Sequence, residues 1–110
     1  MTPTSGCNID DNSFISPKSK LGEGTVVLRN CIVNRDAKIG SNTIINNKAL
    51  IEHDVTIGDN CHISTGALVN GGVEIGNNCF VGSGSVIKQG IIIKDDSFIQ
   101  ANSFIGTDIT

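Results

Sequence analysis

Aliphatic residues recur every six positions along almost the whole chain. The series runs through seventeen repeats without a gap, and only Pro3, six residues before its first member, breaks it. Its members are Ile9, Ile15, Leu21, Val27, Val33, Ile39, Ile45, Ile51, Ile57, Ile63, Val69, Ile75, Val81, Ile87, Ile93, Ile99 and Ile105. A fixed short period of this kind is typical of a repeat architecture in which stacked units share one core.

The third residue after each aliphatic position predicts a tight corner in every repeat. Beginning at Gly6, this position holds Gly, Asn or Asp at sixteen of eighteen places, and the exceptions are Lys18 and Lys48. Gly, Asn and Asp adopt a left-handed backbone conformation at the lowest cost. The chain is therefore expected to bend once every six residues.

The position after each corner is almost uniformly small and stands two residues before the next large aliphatic residue. Alternate residues of a strand face the same side, so both positions are expected to point inward. All four cysteines, Cys7, Cys31, Cys61 and Cys79, occupy the small position, which predicts buried thiols rather than a disulfide or a metal site. The pattern predicts an all-β solenoid of about six 18-residue coils, each with three short strands, and roughly 30 Å tall.

The residue just before each large aliphatic position is expected to point outward, and every third repeat adds to the same outer wall. The apolar wall consists of Phe14, Ile32, Leu50, Leu68, Val86 and Phe104. The polar wall consists of Lys20, Lys38, Thr56, Glu74, Ile92 and Thr110. The mixed wall consists of Asn8, Val26, Ile44, His62, Phe80 and Phe98. An unbroken apolar outer stripe predicts an oligomer interface on the apolar wall.

Composition and charge exclude several classes of function. The formal net charge is -3 and no run of Lys or Arg is present, which argues against a nucleic-acid partner. The first eleven residues lack a basic start and an apolar run, and no later segment reaches membrane-spanning length. We expect one domain over residues 1–110 in a cytoplasmic protein without a membrane partner.

The two histidines are the main candidates for chemistry. His53 lies at an outward corner, with Arg35 one coil before it and Gly71 one coil after it. His62 lies on the mixed wall, away from His53 in the same chain, so the two would meet only between subunits. Other interpretations stay open at this point: His53 as plain surface, His62 as a packed interface residue, and Asp54 as a turn residue alone.

The repeats resemble those of a known fold superfamily. Two of them, residues 57–62 and 75–80, follow the pattern aliphatic, Gly, any, any, small, any, and resemble the left-handed parallel β-helix superfamily of hexapeptide-repeat acyltransferases. This resemblance implies a single-stranded parallel β-helix with a left-handed coil, against the usual right-handed crossover rule. It also implies a homotrimer, and the apolar wall is consistent with one.

A closer resemblance covers the segment around the histidines. It is carried by Asn46 and by residues 51–54, 57–59, 62–63, 66–67 and 71–73, which are similar to the active-site segment of bacterial sialic acid O-acetyltransferases and nucleotide-aminosugar N-acetyltransferases. The resemblance implies an acetyl-CoA-dependent acetyltransferase that acts on a sugar amine or hydroxyl by direct transfer, without a metal.

The same resemblance implies a role for individual residues. His53 would be the general base and Asp54 its partner, and the Gly71 N–H would stabilise the thioester oxyanion. Asn46, Glu52 and His62 would position the acceptor and the acetyl group. Binding of coenzyme A is implied for Gly71, Gly72, Ser83, Ile87 and Lys88.

Departures from the family pattern keep alternatives open. The family usually carries an N-terminal nucleotide-sugar-binding domain, which is not seen in residues 1–110, so the acceptor sugar and the choice between N- and O-acetylation stay open. A non-catalytic trimeric scaffold is the alternative function. A zinc enzyme of the carbonic anhydrase type would need a three-histidine site, and this chain has two histidines. No wall carries the regular Thr ladder expected of an ice-binding protein.

Overall fold

The computed structural model describes residues 6–110, which form a stack of very short parallel strands. Each strand consists of two residues, an outward residue and the large aliphatic residue that follows it. The strands are β1 (Asn8–Ile9), β2 (Phe14–Ile15), β3 (Lys20–Leu21), β4 (Val26–Val27), β5 (Ile32–Val33), β6 (Lys38–Ile39), β7 (Ile44–Ile45), β8 (Leu50–Ile51), β9 (Thr56–Ile57), β10 (His62–Ile63), β11 (Leu68–Val69), β12 (Glu74–Ile75), β13 (Phe80–Val81), β14 (Val86–Ile87), β15 (Ile92–Ile93), β16 (Phe98–Ile99) and β17 (Phe104–Ile105).

Three parallel sheets form the three walls of a prism. The mixed wall is the sheet β1-β4-β7-β10-β13-β16, the apolar wall is β2-β5-β8-β11-β14-β17, and the polar wall is β3-β6-β9-β12-β15. Pairing follows the 18-residue spacing, so that His62 is opposite Ile44 on one side and Phe80 on the other. Seventeen strands at three per coil give between five and six coils, and the extents of 33 × 20 × 20 Å agree with the predicted prism.

The core confirms the two inward columns. The large aliphatic side chains are buried, with Ile9 and Ile105 in the end coils only partly covered. Cys31, Cys61 and Cys79 are buried and Cys7 is half-buried in the first coil. Burial raises the pKa of the Cys31 and Cys61 thiols, which fits their role as small core side chains.

Fifteen corners adopt the predicted left-handed conformation, nine at non-glycine residues and six at glycines. The prediction was wrong at Asn12, Lys18 and Asp108, which have no positive φ. At Asn12 and Lys18 a side chain two residues earlier captures the backbone N–H: Asp10 Oδ1 accepts from Asn12 at 2.8 Å and Ser16 Oγ from Lys18 at 3.2 Å. This local turn replaces the left-handed corner.

The outer faces of all three walls leave apolar side chains uncovered, including Phe98 on the mixed wall and Ile92 on the polar wall. On the apolar wall Phe14, Ile32 and Phe104 are 54%, 41% and 67% exposed, and Leu50, Leu68 and Val86 are half-buried.

No helix that could cross a bilayer is found within residues 6–110.

Candidate active site

His53 and Asp54 form a hydrogen-bonded pair at one edge of the prism. We call this edge, between the apolar and polar walls, the site edge; it consists of residues 16–19, 34–37, 52–55, 70–73 and 88–91. Asp54 occupies the left-handed corner position with φ of 61°, and the turn presents both side chains outward. The His53 ring is 46% exposed, and its Nδ1 lies 2.9 Å from Asp54 Oδ2.

The pair fixes which nitrogen of His53 is basic. The hydrogen bond from His53 holds the pKa of Asp54 below its ordinary value, and the positive charges of Arg35 and Lys38 act in the same direction. An ionised carboxylate only accepts hydrogen bonds, so Nδ1 carries the proton. Nε2 of the neutral ring is therefore left with a free lone pair, as a general base requires.

Gly71, one coil above, lies directly against this ring. A Cβ atom added at Gly71 would stand 2.6 Å from His53 Nε2 and 2.7 Å from Cε1, so a larger residue would displace the imidazole. The Gly71 N–H finds no acceptor within residues 6–110, whereas its carbonyl accepts from the Gly90 N–H at 3.0 Å. A basic nitrogen and an unpaired backbone donor thus belong to neighbouring residues.

A shallow pocket opens below His53 toward the N-terminal end of the prism. Its volume is about 320 Å³, and it is lined by Phe14, Ser16, Asn34, Arg35, Glu52 and His53. The Asn34 amide donates a hydrogen bond of 2.7 Å to Glu52 Oε1, which fixes the half-buried carboxylate at the pocket wall. The pocket therefore combines one apolar ring with polar and charged groups next to the candidate base.

His62 belongs to a second group, on the other side of the apolar wall. Asn46 Oδ1 accepts from the N–H of Asn47 at 2.7 Å, so the amide presents its NH2 group to His62 Nε2 at 3.1 Å. His62 Nε2 is therefore an acceptor here. The His62 ring also meets Phe80 edge to face at 5.3 Å, and Phe80 stacks on Phe98 at 5.0 Å.

The structure thus divides the predicted site residues between two edges. The site edge holds Glu52, His53, Asp54, Gly71, Gly72 and Lys88. The edge between the mixed and apolar walls holds Asn46, with His62 beside it, and Ser83, whose Oγ lies 2.9 Å from Ser64 Oγ. The separation of His53 from His62 within one chain agrees with the sequence prediction.

The predicted coenzyme A residues differ in what they offer a ligand. Lys88, Ser83 and Gly72 are exposed, and a Cβ at Gly72 would meet nothing within 4 Å. Ile87 is fully buried in the core, so its side chain is not available for contact with a ligand. Its carbonyl is also occupied, by the backbone and side-chain amides of Asn70.

Sequence reasoning missed the hydrogen bond from Asn34 to Glu52 and the contact of Arg35 with Asp54. Asn34 precedes Glu52 by 18 residues, and Arg35 precedes His53 by the same spacing, so the repeat register was the available signal.

Within residues 6–110 no three His, Cys, Asp or Glu side chains are grouped as a metal site.

Comparison with known proteins adds a family and several structural relatives. The family described as "Bacterial transferase hexapeptide (six repeats)" matches residues 36–71 and 72–107. The acetyltransferase domain of PglB from Neisseria gonorrhoeae is 27% identical, with a TM-score of 0.94 over 94% of this chain and 51% of that one. PerB from Caulobacter crescentus, in complex with CoA and GDP-perosamine, is 32% identical, with a TM-score of 0.93 over 94% and 50%. This chain spans about half the length of these two structures. Among curated proteins, none matches it.

Proposed function

Because the chain belongs to the bacterial transferase hexapeptide family, we propose that it is an acetyl-CoA-dependent acetyltransferase. It transfers the acetyl group directly to a sugar amine or hydroxyl, and His53 is the general base. The observation that carries this proposal is the pairing of His53 with Asp54 beside Gly71. This arrangement leaves Nε2 basic and an unpaired backbone N–H on the neighbouring coil.

Direct transfer requires few groups, and the site edge has them. Acetyl-CoA supplies the acetyl group as a thioester. His53 Nε2 takes the proton from the acceptor nitrogen or oxygen as that atom bonds to the acetyl carbon, and the C–S bond breaks. The proton on the imidazolium then passes to the departing thiolate. Asp54 stabilises the imidazolium, and the Gly71 N–H is the donor for the negative charge on the carbonyl oxygen.

The pocket below His53 is the proposed acceptor site. Glu52 is held by Asn34 through one carboxylate oxygen, so its other oxygen is available to an amine or hydroxyl of a sugar. Phe14 supplies an apolar surface for a sugar ring, and it lies in the same pocket as His53.

The donor is proposed to lie above His53 along the site edge. The N–H groups of Gly71 and Gln89 are free of intrachain acceptors among the described residues. A Cβ at Gly72 or Gly90 would meet nothing within 4 Å, so the backbone is accessible there. Lys88 is an exposed cation on the same edge and suits a phosphate group. Ser83, on the other edge, would contribute from a neighbouring subunit.

The structural relatives support the same choice of substrates. The PglB acetyltransferase domain has been solved in complex with acetyl coenzyme A. PerB has been solved with CoA and GDP-perosamine, and a related structure is described as perosamine N-acetyltransferase. A thioester donor and an amino-sugar acceptor are therefore the first compounds to test.

We also propose that three copies associate through the apolar wall. Its exposed aromatic and aliphatic side chains need cover, and the site edge borders it on one side. Asn46 and His62 lie beyond its other side, so a neighbouring subunit would bring its Asn46 and His62 toward His53. The complete site would then be shared between two subunits of a cytoplasmic trimer.

The proposal is tested by release of free thiol from acetyl-CoA. Amino sugars, nucleotide-linked amino sugars and sialic acids are supplied in turn, and a reaction without any acceptor is the control. Acceptor-dependent release with at least one of these compounds is expected. If no compound releases thiol and the protein does not bind coenzyme A, a non-catalytic scaffold becomes the better interpretation.

A further inference from the structure

Arg35 lies directly below the His53–Asp54 pair. Its backbone carbonyl accepts the Asp54 N–H at 3.1 Å, which is the bond that stacks the two corners. Its guanidinium NH1 lies 3.0 Å from Asp36 Oδ2 and 3.7 Å from Asp54 Oδ2. One guanidinium nitrogen is therefore shared by two carboxylates that stand one coil apart.

The atom that Arg35 approaches is the one that matters for His53. Asp54 Oδ2 is the oxygen that accepts the Nδ1–H of His53 at 2.9 Å. The Asp54 carboxylate is exposed and could turn toward water. Within residues 6–110, His53 and Arg35 are its only hydrogen-bond or ion-pair partners. The guanidinium attracts the oxygen that accepts the His53 hydrogen bond, and it lies in contact with both Asp36 and Asp54, whose charges would otherwise repel each other.

Within residues 6–110, Arg35 is the one Lys or Arg side chain in contact with the Asp54 carboxylate. Lys38, on the polar wall of the same coil, acts on Asp54 through space without contact. Glu52 is bonded to Asn34 and lies on the other side of His53 along the chain. The corner of the coil above, residues 70–73, carries no charged side chain.

We propose that Arg35 is a positioning residue, anchored by Asp36, that holds the Asp54 carboxylate against Nδ1 of His53. This inference rests on the proposed function. It assigns a role to a side chain that lines the proposed acceptor pocket and acts on His53 through the Asp54 carboxylate. Its loss is expected to slow the proton transfer without weakening binding of acetyl-CoA.

The kinetic test compares Arg35→Gln with Arg35→Lys and with Lys38→Gln, which removes a nearby charge that makes no contact. Arg35→Gln is expected to lower kcat about two- to fivefold with an unchanged KM for acetyl-CoA, the size expected of an exposed ion pair. Arg35→Lys should recover part of the loss, and Lys38→Gln should leave kcat within experimental error. In an Asp54→Asn background, Arg35→Gln should have no further effect, because the pathway through the carboxylate has been removed.

A second readout does not depend on activity. The side-chain carboxyl carbon of Asp54 is titrated by NMR in the parent protein and in the same variants. Removal of Arg35 takes away a favourable positive charge, so the pKa of Asp54 should rise, and it should rise less in Lys38→Gln.

The outcomes separate the two proposals. A parental kcat, a loss of kcat that persists in the Asp54→Asn background, or an unchanged Asp54 pKa in Arg35→Gln would each overturn the role of Arg35. If the parent protein transfers no acetyl group, the proposed function fails, and the titration alone decides whether Arg35 holds Asp54.

Discussion

Two edges of the prism have the same backbone path. They differ in whether one backbone N–H group in each middle coil has a hydrogen-bond acceptor. The ladder edge, between the polar and mixed walls, consists of residues 22–25, 40–43, 58–61, 76–79 and 94–97. There the N–H groups of Ser41, Asp59 and Asn77 donate to the Oδ1 atom of the residue one coil above, at 2.7–2.8 Å. On the site edge the equivalent N–H groups of Arg35, His53 and Gly71 find no acceptor in the described chain.

The residue before each of these N–H groups explains the difference. On the ladder edge it is Gly40, Gly58 or Gly76, and a Cβ there would collide with the coil above. The empty space admits the Asp or Asn side chain that accepts the bond. On the site edge the same position holds Asn34, Glu52 and Asn70, which carry a side chain where the ladder edge has none.

The comparison teaches how a repeat protein acquires a site without changing its fold. In its middle coils the ladder edge satisfies these donors within the chain, so it has fewer groups to offer a ligand. The site edge lacks those bonds, so its N–H groups stay unpaired in the described chain next to an exposed imidazole and an exposed carboxylate. Function is thus expected where the internal bonding pattern is interrupted.

The strongest way to break this comparison is to remove the base from the site edge. His53→Ala is expected to lower turnover about 10²–10⁴-fold, the usual contribution of a positioned base, with little change in coenzyme A affinity. Asn77→Ala, at the equivalent position of the ladder edge, should leave turnover near the parental value. Normal turnover by His53→Ala on a substrate that the parent acetylates would falsify the mechanism.

The apolar wall tests whether the site edge needs a second subunit. Leu68→Glu puts a charge in the middle of a surface that is buried in the proposed trimer, so sedimentation should detect monomer or aggregate. Turnover should fall about 100-fold, because the Asn46 and His62 of a neighbour are lost. The matched change Thr56→Glu, on the polar wall, should preserve assembly, and if both variants sediment like the parent the interface assignment is wrong.

Gly71 tests whether close contact with His53 matters. The backbone at Gly71 has no positive φ, so Gly71→Ala costs the fold little, and the new methyl group pushes the imidazole aside. We expect turnover to fall about 10- to 100-fold from misplacement of the base. Thermal unfolding, measured alongside, should stay close to the parental value; a parental rate would show that close contact between Gly71 and the ring is not needed.

Gly58 provides the opposite result on the ladder edge. A Cβ there would stand 2.8 Å from the Gly76 carbonyl oxygen and would also collide with Asn77 Oδ1, which accepts the Asp59 N–H. Gly58→Ala is expected to lower the free energy of unfolding by about 1–3 kcal/mol, measured by denaturant titration. Turnover of the folded variant should change less than about twofold, and a larger loss would mean that this edge also takes part in function.

The repeat made most of the fold predictable. Each of the seventeen strands joins the outward and large positions that the sequence pattern indicated, because the same burial requirement recurs in every coil. The first coil departs from the pattern at Asn12 and Lys18, where Asp10 and Ser16 offer the backbone a local partner. Such competition between side chain and repeat depends on individual residues and not on the period.

The candidate site was predictable only in part. The 18-residue spacing aligned Arg35, His53 and Gly71 in one column, and the structure confirms that alignment. It did not indicate that Arg35 reaches sideways to Asp54, or that Asn46 bonds to His62, because these contacts depend on side-chain torsions across the repeat. The catalytic roles of the site residues stay predictions.

The two-sided pairing of the middle strands has a consequence for local opening. Strands β8 and β9 flank the His53 corner, and β10 follows them. Each of these three strands pairs with one strand in the coil below and one in the coil above. In residues 6–110, strands β1, β2 and β3 pair only with the coil above. Hydrogen exchange of backbone amides beside His53 therefore requires two ladders to separate, while the end coils open by losing one. The backbone that holds the base stays closed through fluctuations that fray the ends of the stack.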